Sequence, residues 1–203
     1  MRLFVPPPLD VPLSIESTDA GVALKRGELV IAQAWPHDLD IAVPPRPSLD
    51  ESRAMSQNYQ GFAEHAFSTC FVCGPDRKAG DGLRIFPGWS REWKLVSAPW
   101  KPEPSLCDAH GMVQPWFVWS ALDCPGGWSF LRAGGIAAVL GEYAVRIDAP
   151  VPGRDELIVV GWELERAGRK HHTGSALLNQ HGEVLAVGKG TWFEVDPGQL
   201  KSA

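Results

Sequence analysis

The sequence has no apolar run approaching the ~20 residues that a bilayer-spanning helix needs. Its start, MRLFVPPPLDVPL, holds neither the apolar centre nor the small-residue cleavage site of a secretory signal. Both absences point to a cytoplasmic protein that does not enter a membrane. Excess positive charge is missing too. Lys and Arg number 19 against 24 Asp and Glu, a formal net charge of −5, whereas nucleic-acid binding calls for a concentrated basic face. Cysteine is scarce at four. In a reducing compartment Cys70, Cys73, Cys107 and Cys124 stay thiols, which argues against a disulfide framework. A phosphate-cradling glycine loop, a dinucleotide fingerprint and a serine-centred nucleophile elbow are also absent.

Tryptophan, by contrast, is plentiful: nine against two tyrosines. Rings of that size line apolar pockets or fill cores. A chain of 203 residues suits one domain with an extension and buries a sizeable core. Of the 18 prolines, eight lie in the first 50 residues. Between them, VALKRGELVIAQA (22–34) reads as a hairpin turning at Lys25-Arg26-Gly27. SLDESRAMSQNY (48–59) reads as a short polar helix capped by Ser48, with Glu51 completing a capping box. Residues 1–69 have too few periodic apolar positions for a core of their own and are expected to pack as a Pro-rich extension on the rest.

From Gly82 onward the pattern is firmer. GLRIF and EWKLVSAPW read as strands around the turn PGWSRE. QPWFVWSALDCPGGWSFLRAGG follows, a helix starting near Pro115, which suits a first helical position, and expected to end at Gly134-Gly135. Strands are then expected over 137–150, 156–166, 169–179 and 183–195, with Ile158, Val160, Trp162 and Leu164 alternating onto one face. Tight turns at Ala167-Gly168 and Asn179–Gly182 make them an antiparallel meander. A helix with bulky residues on nearly every side must be covered all round, and a sheet curled about it does so. The expected class is α+β, one antiparallel sheet wrapped around one long central helix. The core domain spans 70–196, and 197–203 form a tail.

Within that helix sits one acid, Asp123, seven residues after Trp116 and flanked on its face by Trp119 and Ser120. Desolvation between indoles raises a carboxylate pKa and makes it a better base near neutral pH. The alternative is structural, a local polar group where Pro125 interrupts the helix ladder. A carboxylate, however, cannot donate to the freed carbonyl unless protonated. Gly126-Gly127 admits either close approach of a ligand or a bend.

A strand, a long helix and a meander of antiparallel strands together resemble the hot-dog fold of acyl-CoA thioesterases and related dehydratases. Two motifs add to the resemblance. CFVCGPDRKAGDGLRIF (70–86) is similar to the Cys-x-x-Cys-Gly…Gly-Leu opening segment of many thioesterases of that family. Arg77–Asp81 stands where Asn-Pro often precedes the Gly-Leu. His110-Gly111…Ala121-Leu122-Asp123 is similar to the family's His-Gly-Gly at the helix mouth, with an acid about two turns inside. Here Met112 replaces the second glycine and the interval is a few residues longer. The resemblance covers roughly residues 70–195.

The resemblance implies an acyl-CoA thioesterase, a homodimer whose sites draw on both subunits, with no cofactor beyond the CoA of its substrate. Asp123 would be nucleophile or base and His110 would orient the carbonyl. Backbone N–H groups from Gly111 to Gln114 would face the oxyanion, and Trp116, Trp119 and Ser120 would border the substrate. Arg166, Arg169, Lys170, His171 and His172 surround one turn, where cations would meet the CoA phosphates. That cluster is otherwise a solvated hairpin tip. Two further readings stay open: a non-catalytic binder of acyl-CoA or an acyl chain, and a dehydratase or hydratase. Cys70-Phe71-Val72-Cys73-Gly74 is half of a zinc knuckle. No second pair follows, although Cys107, Asp108 and His110 would supply further ligands. Because the segment also resembles a metal-free loop of the family, no metal is assigned.

Overall fold

Backbone hydrogen bonds pair the C-terminal third into long antiparallel strands. The computed structural model describes residues 1–131, 136–196 and 198. The expected helix stop at Gly134-Gly135, and all of the 197–203 tail but Gly198, lie outside them. In chain order the elements are β1 (Arg2–Leu3), β2 (Ser14–Thr18), β3 (Gly21–Arg26), β4 (Leu29–Ala34), α1 (Leu49–Ser56), β5 (Gly88–Ser90), β6 (Leu95–Trp100), α2 (Pro115–Leu131), β7 (Ala137–Ile147), β8 (Leu157–Ala167), β9 (Lys170–Leu178) and β10 (Val184–Val195). Among the described residues the strands form one antiparallel sheet, ordered β2-β3-β4-β1-β7-β10-β9-β8-β6-β5.

Both faces of the middle of this sheet are covered. On one lies α2, packed against β6 to β10. Its Val118, Ala121 and Leu122 join Val96, Leu157, Val159 and Leu177 in a buried cluster. Ile158, Val160 and Trp162, the alternate residues of β8, point to the opposite face. There Leu39 and Met55, with Ile41, Val43 and Leu49 beside them, close over the strands. Burying each such side chain contributes ~1.5–3 kcal/mol. Leu164, where the β8–β9 register shifts, lies outside this cluster and is 43% exposed.

The N-terminal residues are therefore part of the same layers. β1 to β4 extend the sheet beyond β7, and α1 lies on β5, β6 and β8. Ser48 caps α1 and exchanges bonds with Glu51 in a capping box, and Ser52 and Ser97 share a buried hydrogen bond of 2.8 Å.

Two local expectations are corrected. GLRIF is not a strand. The Leu83 and Ile85 N–H groups donate to Phe71 and Val72 carbonyls, and Arg84 between them takes φ +53°, which breaks the pleat. The expected turn PGWSRE contains a strand, Gly88–Ser90, and the chain reverses over residues 91–94. At Gly126 and Gly127 the helix comes close to the sheet, and Gly127 also lines a cavity. A Cβ on Gly126 would lie 2.6 Å from Thr173 Oγ1 and one on Gly127 3.1 Å from Trp192, while a Cβ on Gly161 of β8 would meet the Pro125 carbonyl at 2.1 Å. The glycines let the proline-containing turn of α2 rest directly on the sheet.

Candidate active site

Helical geometry puts Trp119, Ser120, Asp123, Cys124, Gly127, Trp128 and Leu131 along one stripe of α2, and these residues form one wall of a cavity of about 850 Å³. Residues 136–140 and Tyr143 of β7 line it opposite, and the segment from Gln60 to Cys73 contributes Ala63–Phe67, Cys70 and Cys73. The volume lies within the roughly 300–1,000 Å³ of small-molecule sites. Its lining is mainly apolar.

Asp123 is the acid of that wall. The residue is half-buried, yet its Oδ1 is out of contact with solvent and has no hydrogen-bond partner among the described residues. Desolvation, with the nearby Cys70 thiolate second, pushes its pKa up to about 7. Trp119 meets Tyr143 edge-on at 5.6 Å, and the Tyr143 hydroxyl donates to the Trp119 carbonyl at 3.2 Å, which fixes the wall beside the acid. The Ser120 hydroxyl faces its own helix, donating to the Trp116 carbonyl at 2.9 Å.

Three thiols converge on the same cavity. Cys70 and Cys124 bring their sulfurs to 3.6 Å, and the Sγ atoms of Cys70, Cys73 and Cys124 all lie within 4.8 Å of one another. Hydrogen bonds from Cys124 and then Cys73 hold the Cys70 thiol well below its usual pKa, with the Cys73 and Val72 backbone N–H groups adding to them. Around Cys73, the Trp128 indole N–H donates to its sulfur at 3.4 Å, and His65 Nε2 lies 3.3 Å away. The Phe67 N–H donates to His65 Nδ1 at 3.0 Å. In the neutral ring Nε2 therefore carries the proton. Burial lowers the His65 pKa. Sequence reasoning passed over both His65 and Cys124. The signal for Cys124 was its place one residue after Asp123, on the cavity stripe; His65 carried none.

Other expected site residues lie elsewhere. His110 is exposed, and neither it, Gly111 nor Trp116 lines the cavity. Trp116 is 59% exposed. Asp108 draws in the loop before α2 by accepting the His110 and Met112 N–H groups at 2.8 and 3.0 Å. The expected oxyanion donors are already committed: Gly111 N–H bonds Asp108 O, Val113 N–H bonds Val151 O and Gln114 N–H bonds Leu106 O. A donor spent on the fold is not offered to an oxyanion.

At the β8–β9 turn, Arg169 and Lys170 are exposed, but His171 is 2% exposed. It stacks on Phe130 at 3.9 Å and bonds Glu194 at 2.7 Å, so it is not presented to a phosphate. Cys107, Asp108 and His110 do not join the Cys70–Cys73 pair; Cys107 sits against Gly153 instead.

No family model matches the sequence, and no curated protein matches it. Solved structures do. A thioesterase superfamily protein superposes with a TM-score of 0.56 at 20% identity, over 75% of this chain and 68% of its own. A hypothetical thioesterase from Streptococcus pneumoniae TIGR4, solved with coenzyme A, gives 0.47 at 16% identity, over 50% of this chain and 82% of its own. The E. coli PaaI protein, from the phenylacetic acid degradation operon, gives 0.45 at 14% identity, over 49% and 75%. At such identities the likeness is one of fold: the chain has the hot-dog fold found in the thioesterase superfamily.

Proposed function

We propose that the protein hydrolyses an acyl-CoA thioester in the cavity beside α2, with Asp123 as general base or nucleophile. The observation that carries this reading is a carboxylate on the wall of an apolar cavity whose buried Oδ1 has no hydrogen-bond partner among the described residues. A buried charge without compensation costs several kcal/mol, and a reacting acyl group gives that carboxylate a partner. As base, Asp123 takes a proton from water while the oxygen adds to the thioester carbonyl. Collapse of the tetrahedral adduct expels the CoA thiolate, which takes up the proton. As nucleophile, its own oxygen makes that bond, and water then cleaves the mixed anhydride.

Thiol release from a panel of acyl-CoAs tests this. Wild type is expected to turn over at least one member, and Asp123→Asn to lower kcat by ~10²–10⁴. Equal rates in both proteins, or none from wild type on any acyl-CoA, would remove the reading. Incorporation of solvent ¹⁸O into Asp123 in a single turnover separates nucleophile from base. A second reading, acyl-CoA binding without turnover, is favoured by the committed N–H groups of the loop before α2. Tight binding with no thiol release, unchanged by Asp123→Asn, is its signature.

A further inference from the structure

We propose that Cys70, Cys73 and Cys124 bind one Zn²⁺ through three sulfurs, leaving its fourth position turned toward the cavity. Tetrahedral Zn–S bonds of about 2.3 Å set their sulfurs roughly 3.8 Å apart. Cys70 and Cys124 already stand at 3.6 Å, and no pair of the three exceeds 4.8 Å, a gap that small side-chain rotations close. All three residues line the cavity.

Cys73, the most buried of the three, sits among polar hydrogens. N–H groups are aimed at its sulfur, from the Trp128 indole at 3.4 Å and from His65 Nε2 at 3.3 Å. Such donors orient and stabilise metal-bound sulfur. The loop that presents the first two thiols is closed tightly. Gly74 N–H bonds Cys70 O at 2.9 Å, and a Cβ on Gly74 would lie 2.5 Å from Cys70 N. The third thiol comes from α2, 51 positions after Cys73, so the metal ties the loop to the helix.

His65 is not the fourth ligand. Its Nδ1 accepts the Phe67 N–H, which leaves the proton on Nε2, whereas a ligating nitrogen needs its lone pair free. A site of three protein ligands with one open position is the arrangement of catalytic rather than structural zinc. It takes water or a carbonyl oxygen there. Three thiolates suit Zn²⁺, with Cu(I) the competitor that metal analysis distinguishes, and fall short of the four that hold an iron–sulfur cluster. The role in catalysis, though not the site itself, rests on the hydrolase reading: zinc polarises the thioester carbonyl, a task for which the Gly111, Met112, Val113 and Gln114 N–H groups are already spent on the fold.

Metal analysis of the full chain, purified from zinc-supplemented cells, tests the site. The expected result is about one zinc per chain, held in the folded protein and lost with its ligands. Cobalt exchanged for it should give a thiolate-to-cobalt charge-transfer band with the d–d intensity of a tetrahedral site. Cys124→Ser should lose most of the zinc and Cys107→Ser none. Should Cys124→Ser fail to fold, the wild-type cobalt spectrum decides alone, because its charge-transfer band requires sulfur ligation. Wild-type protein without zinc that takes up neither zinc nor cobalt overturns the proposal, as does copper or iron in its place, or a Cys70–Cys124 disulfide in freshly isolated protein. None of these readouts uses hydrolysis. Zinc in a protein inactive on every acyl-CoA leaves the site standing and removes the hydrolase reading; turnover without zinc does the reverse.

Discussion

Glu194 on β10 accepts a hydrogen bond from His171 at 2.7 Å and one from Arg166 at 3.0 Å. The His171 bond, and after it the nearby arginines, hold its carboxyl below the usual range. A depressed carboxylate pKa stabilises the fold at pH values above the unfolded pKa, and the contribution is lost as pH falls through the folded one. Glu194→Gln should therefore lower the melting temperature near neutral pH, and the gap to wild type should narrow on acidification below about pH 4. A gap that is constant across that range would contradict the assignment. At this scale Asp123 was legible, since an acid among indoles announces itself in one dimension. The thiol cluster was not. Cys-x-x-Cys suggested a partner pair close in sequence, whereas the third sulfur arrives on a helix 54 residues after Cys70. The occupied N–H groups before α2 were equally hidden, because their acceptors at Leu106, Asp108 and Val151 depend on how three loops meet.

Between elements, α2 and β8 approach backbone to backbone. Gly161→Ala drives a methyl into the Pro125 carbonyl, backbone that has no rotamer to yield. We expect destabilisation of about 1–3 kcal/mol, read as a fall in denaturant midpoint; an unchanged midpoint would mean that helix and sheet are not in contact there. The start of α2 at Pro115, the α1 capping box and the turns at Gly27, Gly168 and Gly182 were readable because each rests on local chemistry: a proline, a side-chain cap, or a glycine at positive φ. GLRIF misled because its apolar spacing is that of a strand while Arg84 adopts a left-handed conformation. That choice is forced by neighbours, with Leu83 and Ile85 pinned to Phe71 and Val72. Gly88–Ser90 was missed for the converse reason: a Pro-Gly start reads as a turn, yet its glycine is needed where the strand passes the Met55 carbonyl.

For the whole molecule, the unexpected part is the first third. Its composition foretold an ordered segment without a core of its own, and no periodicity told which surface it would cover. The structure spends it twice, as four added strands and as the cover over the face of the sheet opposite α2. Met55→Ala should destabilise the protein by about 2–5 kcal/mol, as much as a truncation in the helix-side core would. A loss within experimental error would make the cover dispensable. The uniform apolar run of β8, Leu157 to Val160 and on to Trp162, follows from the same arrangement, since a strand buried on both faces has no polar side to show.

That cover is also early in the chain and late in its partners. Arg53 meets Glu156 across 103 residues, and Leu39 and Met55 share their cluster with Ala176, Leu178 and Val187. During synthesis the first third leaves the ribosome long before the strands that will seat it exist, with Leu39, Ile41 and Met55 waiting in water. Pairings so distant in sequence are slow to close, and the waiting interval is the stretch of this protein's life in which it is most open to aggregation and to chaperones.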